Sequence, residues 1–331
     1  MRGHSFVIAL AAWLCGSHAI GQTSWTLPRL PNGQPDLQGT WENNSATPLE
    51  RPRELAGKPL LSEDEVAALQ ARAAQIFGPE ADAVFGDSLY LALLDDTRSR
   101  QTFVTGTYSQ NWVPNRYFER RTSLIEDPAD GRLPPLTPDA VQRRTAQAAA
   151  QPQRARSAGD LSLTDRCITY GVPDLFAAYM SVYRIFQTQD HVVIQLEKIH
   201  DTRVIPLDGR APVSPTIRQY LGDSRGRFDG DTLVVETANF RAGNNMGGYF
   251  RYADENLKLT ERFTRVADDT LRYEFTVDDP TVWAQPWTAA IYWKKSNGEI
   301  YEYACHEGNY SLSGMLSALR AEEAAAEATS R

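Results

Sequence analysis

Histidine and cysteine are scarce in this sequence, and their placement excludes the commonest local signatures of metal and redox chemistry. None of the five histidines belongs to an HExxH pair, and no two of the three cysteines form a CxxC. A zinc site would have to gather ligands from distant segments without a local pattern, so no metal is expected. GxGxxG and Walker loops are missing, and no serine nucleophile elbow is expected, so neither a nucleotide nor any other cofactor is anticipated. Positive charge is also in deficit, with a formal net charge of -8. The basic runs Arg51 to Arg53 and Arg154 to Arg156 are flanked by acidic residues and develop no basic amphipathic stripe, which argues against a nucleic-acid partner. The acidic pairs Asp268–Asp269 and Asp278–Asp279 lack the alternating oxygen-ligand spacing of a calcium loop and read as turns.

No apolar run reaches the roughly 20 residues of a membrane-spanning helix, so an integral membrane protein is not expected. The stretch from Phe6 to Cys15, after Met1, Arg2, Gly3 and His4, reads instead as the core of a signal peptide spanning 1–21. Small residues at Ala19 and Gly21 place the cleavage before Gln22. A lipidated Cys15 is the competing reading, but Leu14 stands where a small residue is wanted. The mature chain is therefore expected to be periplasmic or secreted. It retains Cys167 and Cys305, a pair expected to form a disulfide in an oxidising compartment, against the alternative of two buried free thiols.

With 42% hydrophobic residues, the mature chain can bury a sizeable core as one large or two modest domains. Residues 22–60 are rich in Pro, Gly and Asn, with one strand-like entry at Leu37, Gly39, Thr40 and Trp41. Residues 61–160 read as a helical and proline-rich insertion. Within it Ser62 and Glu65 form a capping-box pattern, Val66, Leu69, Ala73 and Ile76 recur at helical spacing, and Gly78 with Pro79 stops the helix. The Ala-, Gln- and Arg-rich stretch up to Gly159 lacks aliphatic anchors.

Residues 161–312 change to short alternating runs, the pattern of an antiparallel meander. Leu271, Tyr273, Phe275 and Val277 alternate with Arg272, Glu274, Thr276 and Asp278. The same period of two recurs at Trp287, Ala289, Ile291 and Trp293, and at Val192, Ile194 and Leu196. Asp231-Thr232-Leu233 is echoed by Asp269-Thr270-Leu271, which reads as repeated hairpin chemistry. Residues 313–331 close the chain as a helix carrying Met315, Leu316 and Leu319 on one side. The expected fold is mainly β: an antiparallel barrel or strongly curved sheet with peripheral helices.

Two constellations are candidates for catalysis. Glu197, His200, Asp201 and Arg203 lie in and just after a strand. If the backbone bends there, a carboxylate can orient the imidazole for proton transfer, and Arg203 can stabilise negative charge. A strand end with a turn salt bridge is the bland alternative. Tyr303, Cys305, His306 and Glu307 are expected at the end of the last strand, where a disulfide would hold His306 near Asp165 and Arg166. Of the aromatics, Trp112, Trp283, Trp287 and Tyr303 are candidates for lining a substrate cavity, and the loop Gly243 to Gly248 for covering its mouth.

The segments HDTRVIPLDGR (His200 to Arg210), GDSRGRFDGDTLVVETANF (Gly222 to Phe240) and DDTLRYEFTVDDP (Asp268 to Pro280) resemble a broad family of exported bacterial proteins, most of whose members are labelled uncharacterised. RTSLIEDPADGRLPPLTP (Arg121 to Pro138) is similar to the same family, and Phe228 departs from it where tryptophan is expected. The resemblance implies export and a shared architecture, and no reaction. Gly39-Thr40-Trp41 is similar to the GxW opening of lipocalins, which implies a lipocalin-like barrel.

These features predict an enzyme that uses general acid–base chemistry, as a hydrolase, lyase or isomerase, on a small, partly apolar or aromatic substrate. In it His200 moves the proton, Glu197 or Asp201 orients it, and Arg203 with His306 stabilises charge. A non-catalytic carrier of a hydrophobic ligand is the rival and requires an apolar cavity without converging ionisable groups. A surface module contacting an envelope partner through the proline-rich segments is the third reading, and requires exposed aromatics without a cavity.

Overall fold

The computed structural model describes residues 25–76, 87–94, 116–149, 157–175, 180–241 and 255–329. The expected leader 1–21, the Gly78–Pro79 helix stop, Trp112 and the loop Gly243 to Gly248 lie outside the described residues. Alternating side chains produce the β1 (Gly39–Glu42), β2 (Ile125–Asp127), β3 (Val182–Gln187), β4 (His191–Leu196) and β5 (Thr202–Pro206) strands. They continue as β6 (Asp223–Asp229), β7 (Thr232–Ala238), β8 (Lys258–Ala267), β9 (Thr270–Asp278) and β10 (Trp287–Lys295). The hydrogen-bonded order is β5-β4-β3-β1-β10-β9-β8-β7-β6, with β2 beside β10. All these pairings are antiparallel. The nine strands of that path curl into a nearly closed barrel, consistent with a lipocalin-like one.

The period of two decides which side chains fill the interior. Leu271, Tyr273, Phe275 and Val277 are buried, whereas Arg272 and Glu274 pair at 2.6 Å on the outer face. Trp293 and Tyr183 stack with centroids 4.0 Å apart, and Phe263 and Tyr273 stack at 4.9 Å. Trp41 of the Gly-Thr-Trp entry is fully buried, donates its indole N–H to Leu37 O at 3.0 Å, and lies under the Arg265 guanidinium.

Insertion 61–160 is not only helical and proline-rich. Its β2 pairs with β10 at Thr288 and Ala289, while β1 takes the same strand at Lys294 and Lys295, so two short strands share the edge of one long strand. The insertion also contains α1 (Glu63–Ile76), α2 (Asp87–Leu94) and α3 (Pro138–Ala149). Ser62 caps α1 as expected: its Oγ accepts the Glu65 N–H at 3.2 Å, and its own N–H donates to Glu65 at 2.8 Å. Leu61, Leu69, Tyr90 and Leu93 form a satellite core there, separate from the barrel. The chain ends in α4 (Tyr310–Thr329), with Met315, Leu316 and Leu319 half-buried. Among the described residues no helix is long and apolar enough to cross a membrane.

Consecutive strands β5 and β6 are not hydrogen-bonded to each other, and form the seam of the barrel. The strands approach closely at Gly226, where a Cβ would lie 2.8 Å from both Ile205 Cγ2 and Leu207 Cδ2. Gly226→Val is therefore expected to overpack the seam and to cost about 1–3 kcal/mol of stability. Urea denaturation checks this; an unchanged midpoint would mean that the seam yields freely.

Candidate functional site: buried charges beside the β4–β5 turn

The chain leaves β4 at Leu196 in a tight turn over Lys198–His200, with Ile199 at φ 52° and His200 at φ 56°. Two successive left-handed residues break the strand alternation. Glu197 and Lys198 both become buried, and the His200 side chain turns out to solvent. The backbone does bend at this constellation, but not so as to bring the imidazole inward.

Lys198 is 0% exposed, and its Nζ lies 2.8 Å from Asp174 Oδ2 and 5.2 Å from the centre of the Tyr170 ring. Tyr183 donates its hydroxyl to the same Asp174 oxygen at 3.3 Å. Asp201 accepts the Thr169 hydroxyl at 2.7 Å and the Tyr170 N–H at 2.9 Å. Glu197 accepts the Tyr301 N–H at 2.9 Å. Arg203, facing inward from β5, makes a two-pronged pair with Glu261 of β8 at 2.8 and 2.5 Å, and also donates to Ser224 and Thr237, both at 3.1 Å. The Tyr273 hydroxyl completes the cluster on Glu261 at 2.8 Å.

Six of these groups border a cavity of about 30 Å³, enough for one or two water-sized groups. Its polar lining comprises Asp174, Tyr183, Asp201, Arg203, Glu261 and Tyr273, and Ile194, Leu196, Phe263 and Trp293 form the apolar walls. Burial dominates the electrostatics. It pushes the Asp201 carboxyl up to about 6, against the opposing hydrogen bonds from Thr169 and Tyr170. It pulls the Lys198 ammonium below the usual lysine value, although Asp174 opposes that shift. Burial, with Asp174 and Glu261 respectively, holds Tyr183 and Tyr273 protonated far above the ordinary phenol range.

Of the residues expected from sequence, Asp201 and Arg203 line this cavity, while Glu197 is buried at the turn beside it. His200 and His306 are both exposed, and among the described residues no hydrogen bond joins either ring to these carboxylates. Arg203 is committed to Glu261 inside the barrel and is not poised at a surface turn. Tyr303, Cys305, His306 and Glu307 do not sit at the end of the last strand. β10 stops at Lys295, before the turn-forming Ser296, Asn297 and Gly298, and the segment that follows is irregular.

The disulfide Cys167–Cys305 ties this segment to the one that supplies Thr169 and Tyr170, and Asn309 donates to Asp165 O at 3.1 Å. Tyr303 is half-buried between the disulfide and the bond from Tyr301 to Glu197. Trp283 and Trp287 pack edge-on in the core, with centroids 5.8 Å apart, and do not line this cavity. Trp112 lies outside the described residues.

Lys198, Asp174, Tyr183, Glu261 and Tyr273 were not expected from sequence. Glu261 did carry a signal, because it occupies an inward position between Leu259 and Phe263 at period two. Gly222-Asp223-Ser224-Arg225-Gly226 has the GxSxG spelling, but Ser224 lies within strand β6 and bonds Thr237 and Arg203, whereas a nucleophile elbow is a strand-to-helix turn. Among the described residues no group of three or more His, Cys, Asp or Glu side chains is placed to hold a metal ion.

Lys198→Met removes the cation from Asp174 and is expected to cost about 3–5 kcal/mol, because a buried carboxylate is left unpaired. Adding Asp174→Leu should restore much of that loss. Equilibrium unfolding of both singles and the double checks the coupling, and strictly additive losses would contradict it.

Neither a protein-family model nor a curated protein matches the chain, so the reading of this site rests on its own geometry.

Proposed function

We propose that the protein is an exported enzyme that performs general acid–base chemistry at the cavity beside the β4–β5 turn. Its substrate is a small, partly apolar molecule whose reacting group enters the cavity. One observation carries this reading: six ionisable side chains converge on a single space sized for one or two waters, against a core built mainly of aromatic and aliphatic groups. Buried ion pairs are seldom better for stability than apolar packing of the same volume. Converging perturbed groups beside a cavity are instead the pattern of a functional site.

Asp201 is the proton-transfer group, because a carboxyl raised to about 6 exchanges its proton near neutral pH. The Lys198–Asp174 pair positions the Tyr183 hydroxyl in the cavity lining, and Arg203 stabilises negative charge. Half-buried Tyr170 and Tyr303 offer apolar surface for the rest of the substrate. His200 and His306 stand outside the cavity and are not assigned the proton transfer. A hydrolase, lyase or isomerase fits these roles. A carrier of a hydrophobic ligand fits them less well, because it needs a larger space with apolar walls. Export is supported by the disulfide, by the leader expected at 1–21 and by the resemblance to exported bacterial proteins.

The test is a pH profile on an active substrate, found by screening small esters, amides and hydroxy or unsaturated carbonyl compounds. With Asp201 acting as a base, turnover should rise with pH through about 6. Asp201→Asn should remove that limb and lower kcat by about 10²–10⁴-fold. Stability should move the other way. The folded carboxyl holds its proton more tightly than the unfolded one, so the native enzyme loses stability as pH rises from about 4 to about 6. The variant lacks that loss and should be at least as stable at pH 7. Unchanged turnover and pH profile in Asp201→Asn would rule out this assignment.

A further inference from the structure

Two buried N–H donors of the cavity lining have no acceptor. Arg203 spends both terminal nitrogens on Glu261, Ser224 and Thr237, yet its Nε–H has no partner although the side chain is 8% exposed. Trp293 is 2% exposed, and its indole Nε1–H is likewise unpaired. Each such donor carries the desolvation cost of a missing hydrogen bond, so a buried pair at one cavity marks a place for an acceptor.

We infer that Arg203 Nε–H and Trp293 Nε1–H together form a binding site for the oxygen of a neutral carbonyl group. This rests on the proposed function and names the substrate class: a small aldehyde, ketone, ester or amide. The charge of the lining selects a neutral ligand over a carboxylate. Asp174, Asp201 and Glu261 all face the cavity; Lys198 answers Asp174 and Arg203 answers Glu261, and among the described residues no salt bridge answers Asp201. A further full negative charge is repelled, whereas a carbonyl dipole is not. The aromatic wall, with Tyr183 stacked on Trp293 at 4.0 Å, suits a flat sp² group. Paired N–H donors also stabilise the negative charge that grows on a carbonyl oxygen as Asp201 moves a proton.

Formamide and formate are nearly isosteric, one neutral and one anionic, and small enough for the cavity. ¹⁵N-labelled protein is titrated with each, and the indole N–H resonances are followed, with Trp293→Phe identifying the Trp293 signal while keeping an aromatic ring in place. Formamide is expected to shift the Trp293 indole proton downfield in a saturable way, with no saturable shift from formate. Arg203→Lys, which keeps the cation for Glu261 and lacks Nε–H, is expected to weaken formamide binding at least tenfold. Absence of a formamide shift overturns the inference and leaves an ordered water as the occupant; an equal or stronger response to formate overturns it in favour of an anion site. Binding is read without turnover, so the two proposals fail separately. Formamide bound with no dependence of turnover on Asp201 removes the acid–base reading and leaves the carbonyl site. Turnover that depends on Asp201 without any formamide shift does the reverse.

Discussion

The Arg203–Glu261 pair crosses the barrel interior behind the seam that backbone hydrogen bonds leave open. β5 and β6 do not exchange N–H···O=C bonds, so the curled sheet needs another means of holding its two edges together. Arg203 supplies part of it from β5, reaching Ser224 on β6, Thr237 on β7 and Glu261 on β8. A guanidinium can do this because its fork offers donors in several directions and its charge survives burial beside a carboxylate. Gly226 supplies the rest by removing the side chain that would hold the edges apart.

That solution has a chemical consequence. A charge taken into the barrel must be answered there, and the answer recruits Tyr273 to Glu261, with Asp201, Asp174 and Lys198 close by. Low local polarity then strengthens each of these interactions and raises the Asp201 carboxyl. Closure of the fold and the cluster of buried charges around the cavity thus share the same residues. The disulfide contributes by holding both segments that donate to the turn's carboxylates, through Thr169 and Tyr170 on one side and Tyr301 on the other.

Most of the barrel was legible in the sequence, because a two-sided strand writes its burial into every second residue. The alternation from Leu271 to Val277 and from Trp287 to Trp293 marked β9 and β10 within a residue or two, and the repeated Asp-Thr-Leu marked the starts of β7 and β9. The capping box placed the start of α1. What local pattern could not convey was the brief β2, a three-residue strand whose existence depends on the edge that β10 leaves uncovered. The site was legible only in part. Asp201 and Arg203 drew attention because they stand beside a histidine in a polar turn, whereas the histidine itself faces solvent, since two left-handed residues in succession reverse which side chains face inward. Asp174 meets Lys198 and Tyr183 only through tertiary folding, and no spacing along the chain records those contacts.

Three segments, 200–210, 222–240 and 268–280, gain a common physical reason from this arrangement. The first contributes Arg203, the second Ser224, Gly226 and Thr237, and the third Tyr273. They are far apart in the chain, and each alone reads as a hairpin with turn residues. In the barrel all of them meet at the seam or at the carboxylate that answers its buried charge. The Nε–H of Arg203 and the Nε1–H of Trp293 are different in kind. Closure uses neither of them, and unlike the Nε–H of Arg265, which also has no acceptor, both belong to residues that line the same cavity.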